Sequence, residues 1–308
     1  MNPILNSIFY QIKPMVPRWL QLEIRRRAIK LKRRKVASKW PILPIASKKP
    51  NLWCGWPEKK QFALILTHDV DTAKGQENCL DLMNLEKSLG FRSSFNFVPQ
   101  RYQVSKSLML KLKSHGFEVG VHGLNHDGKL FKSKSTFNSR AKKINHYLND
   151  WQAVGFRAPA MHHKLDWMHA LDIEYDMSTF DTDPFEPQSD GVNTIFPFLV
   201  RKSGHAKCYV EMPYTLPQDF TLYVLMQEKN SKIWKYKLEW IAENQGMVLL
   251  NTHPDYISFP DRKGIEGENY SASIYEDFLI WIKENYDGLY WNILPKELAK
   301  FWRQCYCN

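Results

Sequence analysis

Cysteine is scarce in this chain. Cys54, Cys79, Cys208, Cys305 and Cys307 are five among 308 residues, and no two form a Cys-x-x-Cys pair. That excludes a structural zinc ribbon and points to a reducing compartment. The Cys-x-Cys at the chain end reads as two ordinary thiols. No apolar run reaches the roughly 18 to 20 residues that a membrane-spanning helix needs. Met1 to Tyr10 is too short and too polar for the apolar region of a secretory signal, so the expected location is the cytoplasm. Internal repeats are absent, and the only biased segment is one basic stretch.

With 44% hydrophobic and 14% aromatic residues, disorder is excluded as the main state and a sizeable core is assured. The net charge of +11 resembles a nucleic-acid signal until its distribution is considered. Residues 1 to 60 carry 15 Lys and Arg against Glu23 and Glu58 only, and the remaining chain is nearly neutral. No zinc-finger, helix-turn-helix or RNA-binding signature accompanies the basic segment, so no specific nucleic-acid partner is expected. After Pro17, Leu20, Ile24, Ala28 and Leu31 fall at helical spacing between Arg25 to Arg27 and Lys32 to Lys35, which predicts a basic amphipathic helix. Two readings stand: a solvated helix docked on the body, or contact with an anionic membrane surface through residues 16–39, which would make the protein peripheral at the membrane. Pro41, Pro44, Pro50 and Pro57 then punctuate a connector rich in Trp (Trp40, Trp53, Trp56). The chain thus divides into an extension over 1–60 and a main domain over 61–308.

From Phe62 onward, short apolar runs alternate with longer helical patterns, the signature of repeated β-α units. Strands are predicted over 62–67, 92–98, 117–121, 172–180 and 247–252, and helices near 76–89, 104–115, 135–149, 231–244 and 272–285. A last strand over 289–292 leads through Pro295 into a helix over 296–302.

The chemistry-bearing residues follow strand ends. Asp69 and Asp71 close the run Phe-Ala-Leu-Ile-Leu-Thr-His-Asp-Val-Asp, and a period of two points both carboxylates to one side. Two carboxylates so close ionise together only beside a cation or an arginine, although an Asp-rich turn has the same composition. His122 and His126 form His-x-x-x-His after 117–121, a spacing that brings two imidazoles to one face of a helical turn, and Asp71 offers a third ligand. Two nitrogens and one oxygen suit a divalent metal such as zinc, with cobalt, nickel and manganese compatible by ligand type. Arg157, in Phe-Arg-Ala-Pro-Ala, can reach toward the acidic pair. His253, in Leu-Leu-Asn-Thr-His-Pro-Asp, stands at a strand end where it can serve as an acid.

In this order the four pieces resemble the polysaccharide deacetylase family with the NodB homology domain, over about residues 61 to 300. Arg92 to Phe97 is similar to that family's second strand, and the first motif looks like its Asp-Val-Asp variant. The resemblance implies an α/β fold, a distorted (β/α)7 barrel of the polysaccharide deacetylase type, here with a basic helical N-terminal extension. It also implies Asp69 as general base, Asp71, His122 and His126 as ligands of a divalent metal, Arg157 orienting Asp69, and His253 as general acid. A carboxylate orienting the acid is implied too; Asp181 is favoured over Asp176. Glu211 to Tyr214 is a further strand end expected at the cleft. The implied reaction is metal-dependent removal of an N-acyl group, acetyl above all, from an amino sugar of a surface polysaccharide or its precursor. Members with the Asp-Val-Asp variant also act on non-sugar amides, which is one alternative; a non-enzymatic binder using the basic helix is the other.

Overall fold

Phe62–Val70 (β1), buried along its whole length, is the strand around which the molecule is arranged. The computed structural model describes residues 17–202, 208–262, 264–265 and 267–306. Residues 1–16, including the Met1 to Tyr10 segment, and Cys307 lie outside them.

In chain order the main strands are β1, Ser93–Phe97 (β2), Glu118–His122 (β3), Gly155–Arg157 (β4), Tyr175–Asp176 (β5), Phe198–Arg201 (β6), Cys208–Glu211 (β7) and Met247–Thr252 (β8). Ile257–Ser258 (β9) and Tyr270–Ser271 (β10) form a separate small pair, and Tyr290–Asn292 (β11) lies beside the start of β1. The helices are Arg18–Lys35 (α1), Ala73–Ser88 (α2), Lys106–Ser114 (α3), Lys134–Asp150 (α4), Leu165–Met168 (α5), Lys232–Glu243 (α6), Ala272–Tyr286 (α7) and Pro295–Tyr306 (α8). Several begin where a hydroxyl can satisfy a free backbone N–H: Thr72, Ser105, Ser133 and Ser271 cap α2, α3, α4 and α7.

β1 pairs in parallel with β2 along one edge and β8 along the other, and β2, β3, β4, β5 and β7 continue the parallel order. The sheet curls on itself because Thr215, beyond β7, donates its N–H to the Leu249 carbonyl of β8 at 3.0 Å. The fold is therefore α/β, a distorted barrel of seven parallel strands (β1, β2, β3, β4, β5, β7, β8), with β6 added antiparallel outside β7. Strands buried on both faces read as continuous apolar runs, and the first halves of β1 (62–66) and β8 (247–250) are legible for that reason. The strand expected over 172–180 shrinks to Tyr175–Asp176, although Phe180 still bridges Tyr214.

Among the described residues, the extension packs on the body of the molecule. Trp40, Ala46 and Trp56 are buried in the same cluster as the barrel. Helix α1 docks through Leu22 and Ile29, which pack with Val224 and Leu225 of a π-helical turn, Phe220–Leu225. The face predicted from Leu20, Ile24, Ala28 and Leu31 is not the docked one: Ile24, Ala28 and Leu31 are exposed. Tertiary packing selected the other stripe, where Arg18, Arg26 and Arg33 also find partners in Glu268, Gly267 and Glu228. No helix among the described residues is long and apolar enough to cross a membrane.

Candidate active site

Alternation along β1 sends Thr67 and Asp69 to the barrel interior and His68 to the opposite side. There His68 lies between Thr252 and Glu86, with Nε2 2.8 Å from Glu86 Oε1. Glu86 also accepts from Ser93 and Tyr275, so this buried polar group is structural and His68 takes no part in the site.

Asp69 is held by three neighbouring strands. Asn96 of β2 donates to Oδ1 at 3.0 Å, Arg157 of β4 reaches the same oxygen at 3.3 Å, and Asn251 of β8 donates to Oδ2 at 2.9 Å. Burial would raise this carboxyl, but Arg157, His122, His253 and the Asn96 amide outweigh it and hold it down at about 2. Arg157 itself is fully buried, its Nε donating to the Met177 carbonyl at 2.9 Å and Nη1 to Thr67 at 2.8 Å. Its planar fork is thereby fixed. Asn96 and Asn251 went unassigned from sequence, yet both sit on strands flanking β1. Asn96 has room because position 120 is glycine: a Cβ there would stand 2.2 Å from Asn96 Oδ1.

Asp71 has a different environment. Its backbone N–H donates to Asp255 Oδ2 at 2.9 Å, which fixes the turn. Its Oδ1 is buried and has no hydrogen-bond partner among the described residues, and it lies 3.0 Å from His126 Nε2 and 3.4 Å from His122 Nε2. His122 Nδ1 lies 3.1 Å from the Arg157 carbonyl, an N–H donation that leaves Nε2 as the lone-pair nitrogen facing Asp71. An orphaned buried carboxylate oxygen converging with two imidazole Nε2 atoms is the donor set of a divalent cation. These residues fit a metal.

His126 is not on a helical turn as the spacing predicted. β3 ends at His122, and His126 sits in a loop with φ 54°, a left-handed conformation uncommon for histidine. Gly123 makes the turn: at φ 62° its missing Cβ would meet Pro159 Cδ at 2.5 Å. The side chain of His126 stays 23% exposed, so the triad opens on one side.

The carboxylate beside His253 is Asp219, which the sequence reading missed. Asp219 Oδ1 lies 2.7 Å from His253 Nδ1, Oδ2 accepts the His253 backbone N–H at 2.7 Å, and Tyr270 adds a hydrogen bond to Oδ2 at 3.1 Å. Burial disfavours the charged ring, but Asp219, with Asp71 and Asp69 behind it, pushes His253 up to about 10. Asp181, expected in this role, is instead buried against Lys237, its Oδ2 2.8 Å from Nζ. The physical reason is reach: Asp181 leaves β5 toward α6, whereas Asp219 opens the π-helical turn beside the end of β8. Asp176, the other option, accepts from Ser178 at 2.6 Å, and Glu211 accepts from Thr179 at 2.6 Å. Both carboxylates are pushed up, by burial first, and lie beneath the cleft and not at its surface.

The site therefore joins Asp69, Asp71, His122, His126, Arg157 and His253, adds Asn96, Asn251 and Asp219, and leaves Asp181 out. Ala160, at φ 55° after Pro159, is exposed and follows directly on the strand end that carries Arg157.

No protein-family model and no curated protein matches the sequence. Solved structures do match in fold. A Mycobacterium smegmatis protein named as a polysaccharide deacetylase matches at TM-score 0.64 and 15% identity, over 83% of this chain and 95% of its own. The allantoinase Puue matches at TM-score 0.65 and 14% identity, over 88% and 99%. A Pseudomonas aeruginosa PAO1 protein, also named as a polysaccharide deacetylase, matches at 0.63 and 15%, over 86% and 98%. The chain has the fold of the polysaccharide deacetylases.

Proposed function

We propose that the protein is a metal-dependent amide hydrolase that removes an acetyl group from an amino sugar of a glycan or glycan precursor. One observation carries this reading: two carboxylates two residues apart have opposite surroundings. Asp69 accepts three hydrogen bonds, while Asp71 Oδ1 accepts none and faces two imidazoles. That division separates a base from a ligand.

Hydrolysis of an amide needs a nucleophile at neutral pH, a site for the tetrahedral oxyanion and a proton for the departing amine. Asp71, His122 and His126 would hold a divalent metal, zinc by ligand type, which would acidify water and polarise the acyl carbonyl. Asp69 accepts the proton of the attacking water, and Arg157, Asn96 and Asn251 keep its carboxylate ionised and aimed. The Ala160 N–H is a donor for the oxyanion, where one such contact is worth on the order of 3 kcal/mol. His253, with Nδ1 held by Asp219, presents Nε2–H to the leaving nitrogen.

The proteins named as polysaccharide deacetylases support the sugar substrate, and the equal likeness to an allantoinase supports a second reading, hydrolysis of a small non-sugar amide. A panel comparing acetate release from N-acetylglucosamine oligomers with ring opening of allantoin separates them. Turnover of the oligomers and none of allantoin is expected; the reverse would establish the second reading.

A further inference from the structure

The outward face of α1 has no function in the site. With 3.6 residues per turn, Leu20, Ile24, Arg27 and Leu31 fall along one line of the helix, opposite the docked Leu22 and Ile29. Ile24 is 49% and Leu31 66% exposed, and Trp19, on the flank, is 67% exposed. Exposed apolar side chains scattered singly need no explanation, but here they share one helix with a dense set of cations.

Most of the cations divide by face, Arg27 on the outward line being paired with Glu23 at 2.9 Å. Those turned inward are committed: Arg18 to Glu268, Arg26 to the Val224 and Gly267 carbonyls, Arg33 to Glu228, Lys32 to the Pro184 carbonyl. Lys30, Arg34 and Lys35 are exposed, flank the apolar line, and make no ion pair among the described residues. A strip of apolar residues between free lysines and arginines complements the headgroup and acyl boundary of an anionic bilayer. A second copy of this chain would meet the same positive charge, and a nucleic acid would leave Ile24 and Leu31 uncovered.

The helix also sits at the rim of the catalytic face. Arg25 lies over the Phe220 ring at 4.9 Å, Phe220 packs on Tyr256 at 4.9 Å, and Tyr256 packs on His253 at 5.3 Å. We infer that α1 is a membrane-surface anchor for anionic lipid, lying in the interface through Leu20, Ile24 and Leu31, and that it sets the mouth of the site beside the bilayer. The consequence for substrate, an acetylated sugar carried at the lipid surface, rests on the deacetylase reading; the anchoring does not.

The test is co-sedimentation of the full chain with vesicles of phosphatidylcholine alone and of equal parts phosphatidylcholine and phosphatidylglycerol, with light scattering for self-association. Binding to the mixed vesicles only, falling with salt, is expected. Lys30→Glu with Arg34→Glu should weaken it by at least about tenfold, since each cation near an anionic surface counts for several-fold in affinity. Ile24→Ser with Leu31→Ser should abolish it while circular dichroism stays unchanged, both side chains being exposed. Binding that survives the Ile24 and Leu31 substitutions, equal binding to both vesicles, or a dimer that the same substitutions dissociate would overturn the anchor. Because the readout is sedimentation, an inactive enzyme that still binds mixed vesicles leaves the anchor standing and refutes only the reading of the site.

Discussion

Asp219 grips His253 twice, with one carboxylate oxygen 2.7 Å from ring Nδ1 and the other accepting the backbone N–H at 2.7 Å. The ring cannot rotate without losing a buried partner, so its second nitrogen is left for the cleft.

Asp219→Asn should therefore lower turnover by roughly 10² to 10⁴, the range for a general acid, while metal content stays unchanged. Asp219 raises His253 to about 10, so the charged ring stabilises the fold below its unfolded value near 6.5 and this contribution is lost as pH rises through about 10. In the variant the alkaline limb of the kcat/KM profile should move to lower pH. A limb that stays in place would detach His253 from the proton-transfer step.

Asp69→Asn should keep the metal and lose a similar factor in turnover, since Asp69 serves as base and not as ligand. With its folded value held at about 2, the Asp69 carboxylate stabilises the fold above about pH 4 and is lost only as pH falls through about 2. The acid limb of activity should then follow release of metal from the histidine ligands, which bind only when neutral. Parallel titration of bound metal and of turnover checks this; activity falling while metal stays bound would assign the limb to another group.

Asp181→Asn should leave turnover and metal content intact and destabilise the protein by about 3 to 5 kcal/mol, because Lys237 would stay buried without its partner. Denaturant unfolding measures the cost. A large loss of turnover at unchanged stability would restore Asp181 to the site.

The parts legible in the sequence were those whose signal is local. Long helices show a 3.6-residue period, β1 and β8 open on the apolar runs 62–66 and 247–250, and Asp69, Asp71, His122, Arg157 and His253 stand at or just past strand ends. β4, β6 and β7 span only three or four residues each, too short for alternation to register, and the strand expected over 172–180 is only Tyr175–Asp176. Asp219 follows no strand; it opens a π-helical turn, and only the closure of the barrel brings it to His253. His-x-x-x-His reads as a helical turn by spacing, but Gly123 and the left-handed His126 build the same convergence from a loop. In α1 the two apolar stripes compete, and the barrel surface, absent from any local pattern, chose Leu22 and Ile29.

Metal content and acetate release, measured together on the native chain and on His126→Ala, bear most directly on the claim that Asp71, His122 and His126 hold a catalytic metal beside Asp69. The native chain should bind about one metal ion, release acetate from N-acetylated amino sugar oligomers, stop on chelation and recover on readdition, while His126→Ala should lose both metal and turnover. Acetate release that is indifferent to chelation, or a His126→Ala variant that keeps both a full equivalent of metal and its turnover, would contradict it.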